Sequence, residues 1–181
     1  MEWNGTSNAM TLFYYGLSNL LSAASASGPL FLSLSGQSLS GKAISRKDLL
    51  GSPTVVVLTP GRKDRKEAGR WYKALKDVLP ADVRIRDIVL IDPPFFLSEQ
   101  EILARARKAV PRKYWDETWL VPDVRQKEVY DDSSGKPEKI YVYVLDSDGV
   151  VIARVGGAPN EEKIEKIKNT LLSLTDTASA Q

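Results

Sequence analysis

An α/β fold with a mixed central sheet is what this chain of 181 residues predicts, and three stretches predict it. The first is residues 53–80. Its Thr54-Val55-Val56-Val57-Leu58 run is continuous, apolar and rich in β-branched residues, the pattern of a strand buried on both faces. Pro60-Gly61 turns the chain, and Ala68, Trp71, Tyr72, Leu75, Val78 and Leu79 then recur at helical spacing as one apolar stripe. The second stretch, residues 83–110, reads as another strand and another helix. The third, from residue 140 onward, reads as a hairpin and a last amphipathic helix. Strands alternating with helices in this order make a sheet of four to six strands with helices on both faces.

Residues 1–30 stand apart from the rest. Their one charge is Glu2, and after Met10 they run TLFYYGLSNLLSAASASGP. This reads as a leader, a tether or a disordered extension. Ala24-Ser25-Ala26 offers the small residues of a cleavage site, yet a basic n-region is missing and Gly16, Ser18 and Asn19 interrupt the apolar part. The domain proper is residues 31–174, and residues 175–181 read as a frayed tail. In the lead-in, Leu32, Leu34 and Leu39 alternate with small polar residues while Gly36 and Gly41 supply turns, which suggests a short hairpin. Residues 45–51 read as one helical turn stopped by Gly51.

The first long helix has Asp64 at the N-cap position, with Glu67 at capping-box spacing, and Pro80 ends it. The strand over 83–92 alternates early and then turns wholly apolar. Pro93-Pro94 breaks it. Ser98 with Glu101 is a second capping box, opening a helix with Ile102, Leu103, Ala106 and Val110 inside and Arg105, Arg107 and Lys108 outside or near its end. Residues 112–136 carry no clear period: Trp115, Trp119 and Leu120 must bury something, and Val121-Pro122-Asp123 reads as a turn. Residues 140–145 and 150–155 then flank the turn Asp146-Ser147-Asp148-Gly149. Asn160 caps the last helix, whose buried face is Ile164, Ile167, Leu171 and Leu172.

Composition excludes several chemistries. The sequence has no cysteine and no histidine, so disulfides, thiol catalysis, the usual zinc ligand sets and Ser-His or Cys-His nucleophiles are all ruled out within the chain. A net charge of +2 does not point to a polyanion partner, and the basic run Arg105 to Lys113 lacks the interleaved aromatics of a nucleic-acid platform, so no nucleic acid is expected. The Asp146–Gly149 turn lacks the later ligands of a calcium loop, so no metal is expected. No cofactor motif is present.

Several short motifs together resemble the thioredoxin-like superfamily, on its peroxiredoxin and TlpA-like branch. Gly41-Lys42-Ala43-Ile44-Ser45 and Asp48-Leu49-Leu50-Gly51 match the lead-in before that family's central strand. Val144-Leu145-Asp146-Ser147-Asp148-Gly149-Val150-Val151 matches its hairpin, and Asp92-Pro93-Pro94-Phe95 follows the second core strand. The likeness spans residues 31–174 and implies a three-layer α/β/α domain. The family's functional residues do not carry over. Pro60 matches the proline of the peroxiredoxin loop, but Asp64 stands at its Thr/Ser position and Glu67 at its cysteine position. A carboxylate cannot replace the thiolate nucleophile. The resemblance therefore implies a redox-inactive member.

Two groups of residues are candidates for a site. Arg62, Lys63, Asp64, Arg65, Lys66, Glu67 and Arg70 surround a helix N-terminus, where free backbone N–H groups favour an anion or an acidic partner. The same charges could equally form a solvated surface. Pro94, Phe95, Phe96, Trp115 and Trp119 could line an apolar groove beside that loop, or could fill the core. The function expected is a redox-inactive binding module (an adaptor, assembly factor or chaperone-like protein) whose partner is another protein. The alternative is an anion or small-ligand binder, or a non-thiol enzyme, using the basic helix N-terminus. A membrane is involved only if residues 10–28 act as a tether, and localisation leans to exported or membrane-proximal, otherwise cytoplasmic. Purified protein is expected to show neither thiol peroxidase nor disulfide reductase turnover in standard coupled assays. Activity that co-purifies with the chain through successive columns would contradict the reading.

Overall fold

The structure, a computed structural model, describes residues 34–60, 64–91, 98–122 and 140–178, with side chains described to residue 174 in the last segment. Strands β1 (Ser35–Ser38), β2 (Ala43–Ser45), β3 (Thr54–Thr59), β4 (Arg84–Ile91), β5 (Thr118–Pro122), β6 (Tyr141–Leu145) and β7 (Val151–Gly156) form one mixed sheet. Its order is β2-β1-β5-β4-β3-β6-β7. Helices α1 (Arg65–Val78), α2 (Glu99–Ala109) and α3 (Glu161–Ala178) flank it. The seven strands among the described residues exceed the four to six expected, chiefly because β5 lies in the stretch that showed no period. No described helix is long and apolar enough to cross a membrane.

Strand β3 runs parallel to β4, with Val55 opposite Ile85, and antiparallel to β6, with Val56 opposite Tyr143. Strand β4 runs parallel to β5, with Ile88 opposite Trp119. The crossovers β3–α1–β4 and β4–α2–β5 step across the sheet in the same direction. Such connections are nearly always right-handed, which sets both helices on one face. The packing agrees. Val55, Val57, Ile85, Val142 and Val144 meet Ala68, Trp71 and Leu75 of α1 and Ile167 and Leu171 of α3. Alongside, Val89 and Leu120 meet Ala106 of α2 and Leu39. The alternate residues Val56, Leu58, Ile88, Leu90, Trp119, Val121, Tyr141, Tyr143 and Leu145 form a second cluster on the opposite face, joined by Leu34, Ile44 and Leu49. No described α-helix packs there.

Local signals in the sequence are met in most places. The Ser98 and Glu101 box closes, with Glu101 N–H donating to Ser98 Oγ at 3.3 Å and Ser98 N–H to Glu101 Oε2 at 2.9 Å. Asn160 Oδ1 accepts from Lys163 N–H at 2.9 Å. Gly51 ends the 3₁₀ turn Arg46–Leu49 near a φ of +89°, a region that side chains disfavour. Gly36 has a different reason: a Cβ there would stand 2.3 Å from the carbonyl oxygen of Leu120, so only glycine lets β1 approach β5.

Four expectations are corrected. Asp64 precedes α1 with helical backbone angles (φ −94°, ψ −1°), and its side chain makes no capping bond. An N-cap side chain reaches back to the helix from extended backbone, so the capping-box spacing to Glu67 goes unused. The box that does close in this part of the chain is Ser45 with Asp48, whose carboxylate accepts from Ser45 N–H at 2.9 Å. Val121 and Pro122 are not a turn but the end of β5. Pro122 is tolerated there because β1 pairs only with Trp119 and Leu120, so the missing N–H costs no bond on that edge. Val78 at the last residue of α1 and Leu172 on α3 are 42% and 45% exposed rather than buried. Leu171 takes the seat over the sheet, and Leu172 is turned about 100° away from it.

Trp71 is the largest fully buried side chain, and its Nε1 donates to Gly157 O at 2.7 Å, tying α1 to the loop between β7 and α3. Trp71→Phe leaves that carbonyl unpaired and a void beside it. Urea unfolding should show a loss of about 2–4 kcal/mol.

Candidate functional site

Between α1 and α2 the sheet is not fully covered, and a groove of about 700 Å³ opens over β4. Thr59, Asp87, Val89 and Thr118 form its floor, and each sits on the helix-bearing side of its strand by simple alternation. One wall is the flank of α1, with Arg65, Lys66, Gly69, Tyr72, Lys73 and Lys76. The other is the chain after α2, with Val110, Pro111 and Tyr114. Tyr72 and Tyr114 meet edge to face at 5.1 Å and join the two walls. Lys76 lies 5.6 Å from the centre of the Tyr72 ring and pairs with Glu117 at 3.2 Å. Among the described residues the Tyr72 hydroxyl and Glu117 Oε2 are buried without a hydrogen-bond partner. Burial raises the Glu117 carboxyl above its ordinary range.

Asp87 is the chemical centre of the groove. Its Oδ1 accepts from Thr59 Oγ1 at 3.1 Å, and its backbone N–H donates to Glu117 O at 2.9 Å. Burial among the groove walls pushes the carboxyl up to about 6, with the Thr59 bond and the charge of Arg65 pulling the other way. The groove thus carries a carboxylate that titrates close to neutrality under a rim of cations.

The residues singled out from sequence are only partly brought together. Arg65 and Lys66 line the groove, while Asp64 and Glu67 are half-buried at the helix start and Arg70 is exposed. Arg62, Lys63, Pro94, Phe95 and Phe96 lie outside the described residues. Trp115 and Trp119 pack on opposite faces of the sheet, so no single groove holds both. Trp119 sits in the face cluster away from the α-helices; Trp115 packs beside α2 and donates from Nε1 to Val110 O at 2.9 Å. Arg107, in the last turn of α2 as expected, donates from Nε to Leu39 O at 2.7 Å and lies over the Trp115 ring. The sequence reading missed Thr59, Gly69, Asp87 and Thr118. The one available signal was a charged residue among the alternate apolar positions of its strand, since Asp87 stands between Ile85 and Val89.

The sign of the Asp87 effect on stability follows from its raised value. The folded state holds this proton up to about pH 6 while the unfolded chain releases it near the ordinary value of 3.8, so stability falls as pH climbs between the two. Asp87→Asn keeps an acceptor for Thr59 and removes the charge. Against the parent it should gain up to about 3 kcal/mol at pH 7 and about 0.5 kcal/mol or less at pH 4, measured by urea unfolding across that range. Parallel curves for parent and variant would mean that Asp87 is not desolvated.

No family model matches the chain, and no curated protein matches it by sequence. Solved structures do match. A SCO1/SenC family lipoprotein from Bacillus anthracis aligns with a TM-score of 0.55 at 14% identity, over 78% of this chain and 92% of that one. The exposed lipoprotein thioredoxin of Streptococcus pneumoniae gives 0.51 at 11% identity, over 75% and 97%. ScoI of Arabidopsis thaliana, solved with copper bound, gives 0.50 at 9% identity, over 77% and 96%. Identities this low speak for the fold alone. The chain has a thioredoxin-like α/β fold, built from a sequence that contains no cysteine.

Proposed function

We propose that this chain is a redox-inactive thioredoxin-like binding module that holds a segment of another protein in the groove between α1 and α2. The observation that carries the reading is Gly69. It sits inside α1, where glycine costs about 1 kcal/mol against alanine, and a Cβ built there meets nothing within 4 Å. Neither backbone angle nor packing among the described residues asks for it. Its lack of a side chain keeps one wall of the groove low enough for another backbone to lie against the helix. The rim cations Arg65, Lys66, Lys73 and Lys76 outnumber Asp77 and Asp87, which suits a segment with acidic residues flanking an apolar stretch.

Copper, present in one of the similar structures, does not fit this chain. Soft thiolate and imidazole ligands are absent from the sequence, and the described residues contain no cluster of three or more acidic side chains that could hold a metal ion. The reading with a small anion at the basic helix start has less support, because part of the Arg65 field is spent on Asp87.

A photo-crosslinking residue placed at Lys73 would capture the partner in cells, and the affinity of the captured protein would then be measured. Gly69→Trp, which fills the groove without touching the core, should abolish binding while circular dichroism stays unchanged. Gly69→Ala should raise stability by about 0.5–1 kcal/mol. Undiminished affinity in the Gly69→Trp variant would remove the groove from the function. Binding that disappears in Arg65→Gln/Lys66→Gln but survives Gly69→Trp would favour the anion site instead.

A further inference from the structure

On the other face of the sheet, β4 presents Arg84 and Arg86 side by side, two residues apart, beneath a cavity of about 510 Å³. The two arginines do different things. Arg84 is tied into the fold: it donates to Leu50 O at 3.0 Å, to Ser52 Oγ at 2.8 Å and to Asp48 O, and so pins the 3₁₀ turn to the sheet. Among the described residues Arg86 donates only to the carbonyl of its own neighbour Ile85, at 3.0 Å, and it lies 5.4 Å from the centre of the Trp119 ring. The Nε of each arginine is buried without a partner among the described residues. Among the described residues neither guanidinium is in an ion pair, since the nearby Asp48 is held by Lys42 at 3.0 Å and by Ser45.

A guanidinium is a fork of five donors that stays charged in proteins, and it is costly to bury without an acceptor. Burial, together with the like charge of Arg84, holds Arg86 below the ordinary arginine range. The cavity walls add Lys42 and Lys47 against Asp48 and Asp116, which leaves a net positive site, and Ile44, Leu50 and Trp119 supply apolar surface.

We propose that this cavity is an oxyanion site, in which Arg86 takes a carboxylate or phosphate group in a forked pair and Trp119, Ile44 and Leu50 pack against a small apolar body that carries it. The site is separate from the groove, since it lies on the opposite face of β4. Arg84 positions the turn that forms one wall, and Arg86 makes the contact. A bidentate anion would satisfy the donors left unpaired among the described residues.

The test follows side-chain N–H resonances of ¹⁵N-labelled full-length protein during titration with inorganic phosphate and, separately, with benzoate. The Arg86 Nε–H and Trp119 Nε1–H signals should shift saturably with at least one probe. Tighter phosphate binding identifies a phosphate ligand, and tighter benzoate binding a carboxylate one. Arg86→Gln should weaken binding by about tenfold or more, and Arg86→Lys, which keeps the charge but not the fork, by less. The groove variant Lys66→Gln/Lys73→Gln/Lys76→Gln should bind as the parent does. An Arg86 signal that stays still for both probes, or equal binding by parent and Arg86→Gln, overturns the proposal. Loss of binding in the groove variant also overturns it, by moving the anion to the rim. Should Arg86→Gln not fold, the parent titration and Arg86→Lys decide the matter alone.

Discussion

Strand β3 is buried along all six of its residues and hydrogen-bonded to neighbours on both edges. Its side chains enter both clusters of the core: Val55 and Val57 under α1, Val56 and Leu58 on the opposite face. Each such valine or leucine contributes about 1.5–3 kcal/mol by leaving water. A strand with two equal apolar faces cannot fix its own register, however, because a slip of one residue exchanges valine for valine. Strand β4 supplies what β3 lacks. A slip there would bring Arg84 and Arg86 under the helices and turn Asp87 into the opposite cluster.

The same alternation makes β4 the electrostatic spine of the molecule. Three charged residues within four positions serve two faces: Asp87 at the floor of the groove beside α1, Arg84 and Arg86 at the cavity behind it. The groove lies where α1 and α2 sit on one side of the sheet, and it is bridged by the Tyr72 ring of α1 meeting the Tyr114 ring on the chain after α2. In a thioredoxin-like fold without thiols, what the scaffold still offers is shape and placed charge. Here these are a groove, a carboxyl raised to about 6 and a lysine-rich rim.

Thr59 shows how the central strand reaches into the site. It is fully buried, and its hydroxyl spends its donor on Asp87, so the end of β3 and the middle of β4 are joined by one side-chain bond as well as by the ladder. Thr118, buried on β5, faces the same floor. The floor is therefore held by three parallel strands, which gives the Asp87 carboxyl a fixed position while the α1 wall keeps its cations in water.

What the sequence determined by itself is the set of elements whose signals are local. The β-branched run of β3, the stripe of Trp71 and Leu75, the Ser98 and Glu101 box, the Gly51 stop and the Asn160 cap each act within a few residues, and the thioredoxin-like order of elements follows from them. The tertiary structure decided whatever depends on residues far apart in the chain. Strand β5 is a strand because β1 and β4 hold it, although Trp119 to Pro122 shows neither alternation nor a clean boundary. Trp115 and Trp119 part company because a strand starts between them. Asp87 becomes a groove residue only when α1 closes over it and Thr59 turns toward it, since desolvation depends on neighbours that no short window contains. Gly69 reads as a blemish in a helix until the opposite wall is in place, and only then does its missing side chain become the opening of the groove.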